Sequence, residues 1–258
     1  MFANLFPNFG TGRILKKEML ECLRDYPRDF FDVYFKDYSN GIIAGADAVV
    51  GENIITIERG IVKHNGRIYI LEKDYELPYN YTNSEALIKI KFLDGNLKGD
   101  FTQYSTNIFI DSSTALGSDE LELGRFKLRE GAILRSDYTD FFDLTTEYNT
   151  INIVNVEYSA LDKSTLKPFI LKYFSRILLE CNSENINDIL FAMQCLNTGS
   201  IEREVLIYYI SKRWGIEIKE YTNMEIYKYL CHIVKEVKSG KRRPVEARNE
   251  GPMRIIVD

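Results

Sequence analysis

From residue 41 to residue 71 apolar and polar positions alternate, with turn residues as punctuation. Ile55 and Ile57 alternate with Thr56 and Glu58, Gly60 permits a tight reversal, and Asn65-Gly66 between two apolar runs has the pattern of a type I′ hairpin. A small β module is predicted. The same period of two continues on both sides. Phe31, Val33 and Phe35 alternate with Asp32, Tyr34 and Lys36, and Ile88, Ile90 and Phe92 alternate with Lys89 and Lys91. Asp94-Gly95 is the turn expected before a return run at residues 108–110. Leu121, Leu123, Phe126 and Leu128 keep one face only if a β-bulge at Gly124 restores the phase. Residues 151–156 are the last expected strand. Short strands with frequent turns predict an antiparallel sandwich or barrel-like domain.

Helical periodicity brackets this region. Before it, Ile14, Leu15, Met19, Cys22 and Leu23 predict a short helix that stops before Pro27. After Ser164, Leu166, Phe169, Ile170, Tyr173 and Ile177 share one helical face. Ile186, Ile189, Leu190 and Met193 share a second, and Ile201, Val205, Tyr208 and Tyr209 a third. Thr222-Asn-Met-Glu225 has capping-box spacing and opens a fourth helix through Tyr227, Leu230, Cys231 and Val234. Four such helices can bury one another's faces as a bundle. The predicted class is α+β: an N-terminal arm and helix (1–29), an antiparallel β domain (30–160), a helical bundle (161–239) and an extended C-terminal tail (240–258).

Composition narrows the functional classes. With 258 residues and 45% hydrophobic content the chain can bury one large core or two modest ones. A net charge of −5 argues against non-specific coating of nucleic acid. No apolar stretch approaches the roughly 20 residues of a spanning helix, and the N-terminus lacks the basic flank of a secretory signal. Cys22, Cys181, Cys195 and Cys231 are scattered and read as buried thiols of a reduced compartment.

Candidate chemistry is sparse. His64 precedes the Asn-Gly turn and is expected to be exposed; His232 follows Cys231 on a helix and reads as a boundary residue beside a core thiol. Gly10-Thr-Gly-Arg and Ser239-Gly-Lys-Arg-Arg lack the spacing of a phosphate loop. Asp119, Glu120, Glu122, Asp137, Asp140 and Asp143 fall where turns and strand exteriors are expected, which predicts a solvated face and not a glycosidase pair. Lys241, Arg242 and Arg243 form a basic cluster in a linker. No catalytic, cofactor or metal site is predicted. The candidate partner-binding residues are apolar and terminal: Phe2, Leu5, Phe6 and Phe9, and Met253, Ile255, Ile256 and Val257 at a β-prone end that could add to a sheet edge.

The β region resembles the β module of phage tail and baseplate proteins, including tail-fibre attachment and related contractile-tail components. The likeness rests on Gly41-Ile-Ile-Ala-Gly-Ala-Asp-Ala-Val-Val, Ile55-Thr-Ile-Glu-Arg-Gly-Ile-Val and Asn65-Gly-Arg-Ile-Tyr-Ile-Leu. Leu121-Glu-Leu-Gly-Arg-Phe-Lys-Leu and Gly131-Ala-Ile-Leu-Arg-Ser-Asp137 continue it. Tyr138 stands where such modules often place Arg, and the helical region from Ser164 is not part of the pattern. The resemblance implies a structural protein without catalysis. It would link a baseplate to neighbouring subunits or tail fibres and be assembled in the host cytoplasm into a virion, prophage particle or contractile injection system. Its partners would be other tail proteins, with no nucleic acid and no membrane insertion. The alternative role is a receptor-binding protein whose tyrosines grip cell-surface glycan; a two-acid carbohydrate enzyme ranks third.

Overall fold

The computed structural model describes residues 3–80, 82 and 84–240. Its first regular element is helix α1 (Lys17–Tyr34), which runs through Pro27 and through the segment whose alternation predicted a strand at Phe31, Val33 and Phe35. Over so short a window Phe30, Phe31 and Tyr34 fit a period of 3.6 as well as their neighbours fit a period of two. The helix prevails because it continues the apolar arc begun at Met19 and because its aromatics pair one turn apart. Phe30 stacks on Tyr34 at 5.9 Å and Phe31 on Phe35 at 6.4 Å.

Six strands then build one bent meander. β1 (Gly41–Gly45), β4 (Gly60–His64) and β5 (Arg67–Leu71) form one antiparallel sheet in the order β1-β4-β5. β2 (Ala48–Val50), β3 (Ile54–Ile57) and β6 (Tyr75–Pro78) form a second in the order β2-β3-β6. The two sheets are halves of the same three chain runs, folded at a corner. Gly45 pairs with Gly60 on one side of that corner and Ala48 with Ile57 on the other. Between them Ala46 donates to the Arg59 carbonyl at 3.2 Å and Glu58 to the Asp47 carbonyl at 2.9 Å, so the ladder continues through the bend. The reversal expected at Gly60 lies elsewhere, at residues 51–53, where Gly51 donates to the Ile54 carbonyl at 2.8 Å. Gly60 is needed for closeness: a Cβ there would lie 2.4 Å from the Ala46 nitrogen. Asn65 (φ 47°) and Gly66 (φ 73°) do form the I′ turn between β4 and β5, as predicted.

A third sheet places β7 (Ala86–Phe92) between β10 (Thr106–Asp111) and β11 (Glu120–Phe126). β7 and β10 pair as expected, but their connection is longer than an Asp94-Gly95 turn. It carries a ribbon of β8 (Asn96–Lys98) and β9 (Phe101–Gln103), reversing at Gly99 with φ 60°. The bulge predicted at Gly124 is present, with the β11 register shifting between Glu122 and Gly124. Residues 151–156 are no strand, although Ile151, Ile153, Val154 and Val156 are buried. The Asn152 side chain accepts from the Val154 N–H at 2.9 Å, and Val156 donates to the Ile153 carbonyl, so local turns take the backbone groups a ladder would need.

A 3-10 helix at Phe141–Thr145 leads to α2 (Pro168–Glu180), α3 (Ile186–Asn197), α4 (Arg203–Trp214) and α5 (Asn223–Ser239). The Thr222–Glu225 capping box opens α5 as predicted. The architecture is α+β, with only antiparallel pairing between these strands and no closed barrel among the described residues. One continuous buried cluster joins the sheets to the helices. Phe141 lies 5.9 Å from the Phe174 ring of α2 and 5.2 Å from Tyr227 of α5, whose hydroxyl donates to the Phe141 carbonyl.

Two helical faces differ from the periodicity reading. Ile186, Leu190 and Met193 of α3 are exposed, and Tyr208 of α4 is exposed while Tyr209 is buried. Polar groups decide this. Asp188, fully buried on α3, accepts from the Tyr209 hydroxyl at 2.8 Å, from Ser183 Oγ at 2.8 Å and from Arg213 Nε at 3.1 Å. Arg213 also reaches Glu236 of α5 at 3.0 Å. That network turns Phe191 inward, where its ring stacks on Tyr209 at 4.0 Å.

Candidate partner-binding surface

The titratable groups singled out in the sequence are engaged in holding the fold. Glu122 and Asp143, expected on a solvated face, are buried. Arg125 forks onto Glu122 at 2.8 and 2.6 Å and reaches Glu85 at 3.0 Å. Arg135 forks onto Asp143 with both bonds at 2.6 Å, and this pairing holds the Asp143 carboxyl well below the usual carboxylate range. Glu120 and Asp111 meet the buried Lys89 at 3.3 and 2.8 Å, and Asp119 meets Lys91 at 3.5 Å. Asp140 caps the 3-10 helix, while Asp137 is exposed. Asp137 too is engaged, its carbonyl accepting from Arg135 Nη1 at 2.6 Å. Among the described residues no three of His, Cys, Asp and Glu converge as metal ligands.

His64 corrects its expectation. It lies inside the module, its ring parallel to Phe92 with centroids 4.0 Å apart. The residues beyond it make the turn, so the last position of β4 still points inward. Burial lowers its pKa from 6.5, against a smaller opposing pull from Asp119. The unfolded chain therefore takes up a proton at higher pH than the native one. Stability from this site is complete above about pH 6.5 and falls as pH drops through the native pKa. His64→Phe should keep the stack and flatten the decline in unfolding free energy between about pH 7 and 5.5. Urea titrations across that range test this; equal slopes for the two proteins would refute it.

His232 is exposed at the edge of Trp214, 5.7 Å away, beside the buried Cys231, as expected. Cys195 is buried, and desolvation pushes its thiol up to about 11, whereas Cys22 and Cys181 are only half-buried and so less enclosed than predicted. All four are free thiols. Among the described tyrosines of the β strands and their connections, Tyr75 and Tyr104 are exposed. Arg67 lies 4.1 Å from the Tyr104 ring centre, and Lys127 and Arg129 lie 4.5 and 4.0 Å from that of Tyr148.

One apolar surface lies at the N-terminal end. Leu5, Phe6 and Phe9 are 72%, 81% and 59% exposed, and no residue of α1 is buried. Leu20, Leu23, Tyr26, Phe30, Phe31 and Tyr34 of α1 all face solvent. The arm runs alongside the helix, with Cys22 Sγ donating to the Leu5 carbonyl at 3.4 Å. What fixes this assembly to the body is its C-terminal end. Lys63 of β4, buried, donates its ammonium to the carbonyls of Phe35 and Tyr38 and, at 3.3 Å, to that of Lys36. A cation there satisfies carbonyls that a helix end leaves open and complements its dipole. Burial pulls the Lys63 pKa down, opposed by Asp37. The alternation around β4 did not single out Lys63; its only signal was a lysine beside a histidine at the end of an apolar strand. Phe2, Met253, Ile255, Ile256 and Val257, together with Lys241, Arg242, Arg243 and the rest of the tail after residue 240, lie outside the described residues.

A second apolar strip, Ile186, Leu190 and Met193, is exposed on α3. No described helix is long and apolar enough to cross a membrane.

No family model and no curated protein matches the chain. Among solved structures, one similar chain belongs to the type VI secretion system TssK-TssF-TssG baseplate subcomplex, at 8% identity and a TM-score of 0.40, covering 93% of this chain and 100% of that one. Another is TssK, at 7% identity and a TM-score of 0.44, covering 92% of this chain and 72% of that one. At these scores the likeness carries no argument about fold or role.

Proposed function

We propose that this chain is a structural component of a phage tail or tail-like particle baseplate, an adaptor that joins other baseplate proteins or fibres and performs no catalysis. One observation carries the reading: Leu5, Phe6 and Phe9 stand open to solvent on an arm beside a helix with no buried residue. Large apolar side chains presented together at one end of a folded body are what a neighbouring subunit would cover. The ordered resemblance of residues 41–71 and 121–137 to tail and baseplate β modules supports the same role. The acids and imidazoles fit it too, since their partners are structural. In this reading the protein is made in the host cytoplasm and ends in the particle, with the arm and the α3 strip as its contact surfaces.

Deleting residues 1–12 should leave the fold intact, as judged by circular dichroism and thermal unfolding, because the described arm residues are nowhere buried. The truncated protein should be absent from purified particles. Unchanged incorporation, at wild-type stoichiometry, would defeat the proposal.

A further inference from the structure

The residues of α1 separate completely by character around the helix. At about 100° per residue, its apolar side chains fill roughly half the circumference, centred on Leu23 and Phe30. The polar half is itself sorted. Arg24, Lys17 and Arg28 border the edge of the stripe that carries Leu20 and Phe31. Asp29, Glu18 and Asp25 border the opposite edge, beside Cys22. Within the chain Lys17 meets Glu21 at 3.2 Å and Arg24 meets Asp25 at 2.5 Å, exposed pairs that hold the side chains only weakly.

From this sorting we infer that the occupant of the α1 face is a second copy of the same chain, in parallel orientation. Two parallel helices packed stripe to stripe, as a dimer or as neighbours in a larger closed ring, bring one edge of the first against the opposite edge of the second. Basic residues then face acidic ones. In an antiparallel pair each edge meets its own equivalent and like charges oppose one another. The size also suffices. Leu20, Leu23, Tyr26, Phe30, Phe31 and Tyr34 are each 45% to 59% exposed. At roughly 150–200 Å² per large side chain they offer on the order of 500–600 Å² per copy, before counting the polar rim. Two copies then bury about 1,000–1,200 Å², near the lower end of stable interfaces. The helix is long enough for register to matter, with 18 residues spanning roughly 27 Å. This association is independent of the proposed baseplate role and is measured on the isolated full-length protein.

Light scattering after size exclusion at tens of micromolar should give a mass of two or more chains, and Leu23→Asp with Phe30→Asp should give one chain with an unchanged circular dichroism spectrum. A monomeric wild-type protein, or a double variant that keeps the wild-type mass, overturns the inference. Orientation is read by Leu23→Cys in a Cys22→Ser background. Residue 23 lies on the centre line of the stripe, where parallel packing sets it against its own equivalent, so mild oxidation should link copies through it. Linking of Leu23→Cys to Phe30→Cys in a mixture, without self-linking of either, overturns the parallel arrangement. Lys17→Glu with Arg24→Glu and Arg28→Glu makes both edges acidic and should weaken association at least tenfold. Adding Glu18→Lys, Asp25→Lys and Asp29→Lys exchanges the edges and should restore it; failure to restore counts against the pairing.

Discussion

Replacing Asp188 by alanine is expected to lower the unfolding free energy by about 3–5 kcal/mol, the range seen when one partner of a buried ion pair is removed. Asp188 has no exposed surface, and it accepts hydrogen bonds from Ser183, Tyr209 and Arg213. Without it the Tyr209 hydroxyl and the Arg213 guanidinium lose a buried acceptor, and Arg213 keeps only Glu236 among these partners. Urea unfolding followed by circular dichroism measures the loss. Ile186→Ser, two residues away on the open side of α3, should change stability by no more than about 0.5 kcal/mol. A cost below about 1 kcal/mol for Asp188→Ala, or equal costs at the two positions, would show that the network does not orient the helix. The consequence extends to the surface, because the contacts that hold Asp188 inward also hold Ile186, Leu190 and Met193 outward.

Gly45→Val should be comparably severe, at about 3 kcal/mol or more, or should abolish soluble expression. Gly45 has φ +62°, and a Cβ there would lie 2.1 Å from the Arg59 carbonyl oxygen. The left-handed conformation alone costs a residue with a Cβ about 1–2 kcal/mol, and forcing two backbones apart at a packed corner adds about 1–3 kcal/mol. Gly66→Ala is the control. It also has positive φ, but nothing lies within 4 Å of its added Cβ, so only the backbone strain is felt. Thermal and urea unfolding of both variants, with Gly45→Val within 1 kcal/mol of Gly66→Ala, would refute the account of the corner.

Strand alternation, the Asn65-Gly66 turn, the Gly124 bulge and the Thr222–Glu225 cap were legible because each depends on neighbours within a few residues. The candidate surface was legible in part. Leu5, Phe6 and Phe9 could be named from the chain, since apolar residues among Asn, Pro and Gly have no local element to bury them. The α1 stripe was hidden because Phe30, Phe31 and Tyr34 fit a helical period in the same short window where Phe31, Val33 and Phe35 fit a period of two, and Pro27 suggested a stop that the helix passes through.

By itself, then, the amino-acid order determined the α+β class, the Asn65-Gly66 turn, the Gly124 bulge and the Thr222–Glu225 cap, all of which follow from residue type and short spacing. Tertiary structure decided which side of each element faces in. Asp188 turns α3 so that Leu190 is left outside, Lys63 reaches across the module to anchor the end of α1, and Phe92 draws His64 inward. The physical reason is the same in each case. A charge, a carbonyl or an aromatic face removed from water requires a partner, and Tyr209 and Arg213 for Asp188, Phe35 for Lys63 and Phe92 for His64 lie between 21 and 28 residues away in the chain.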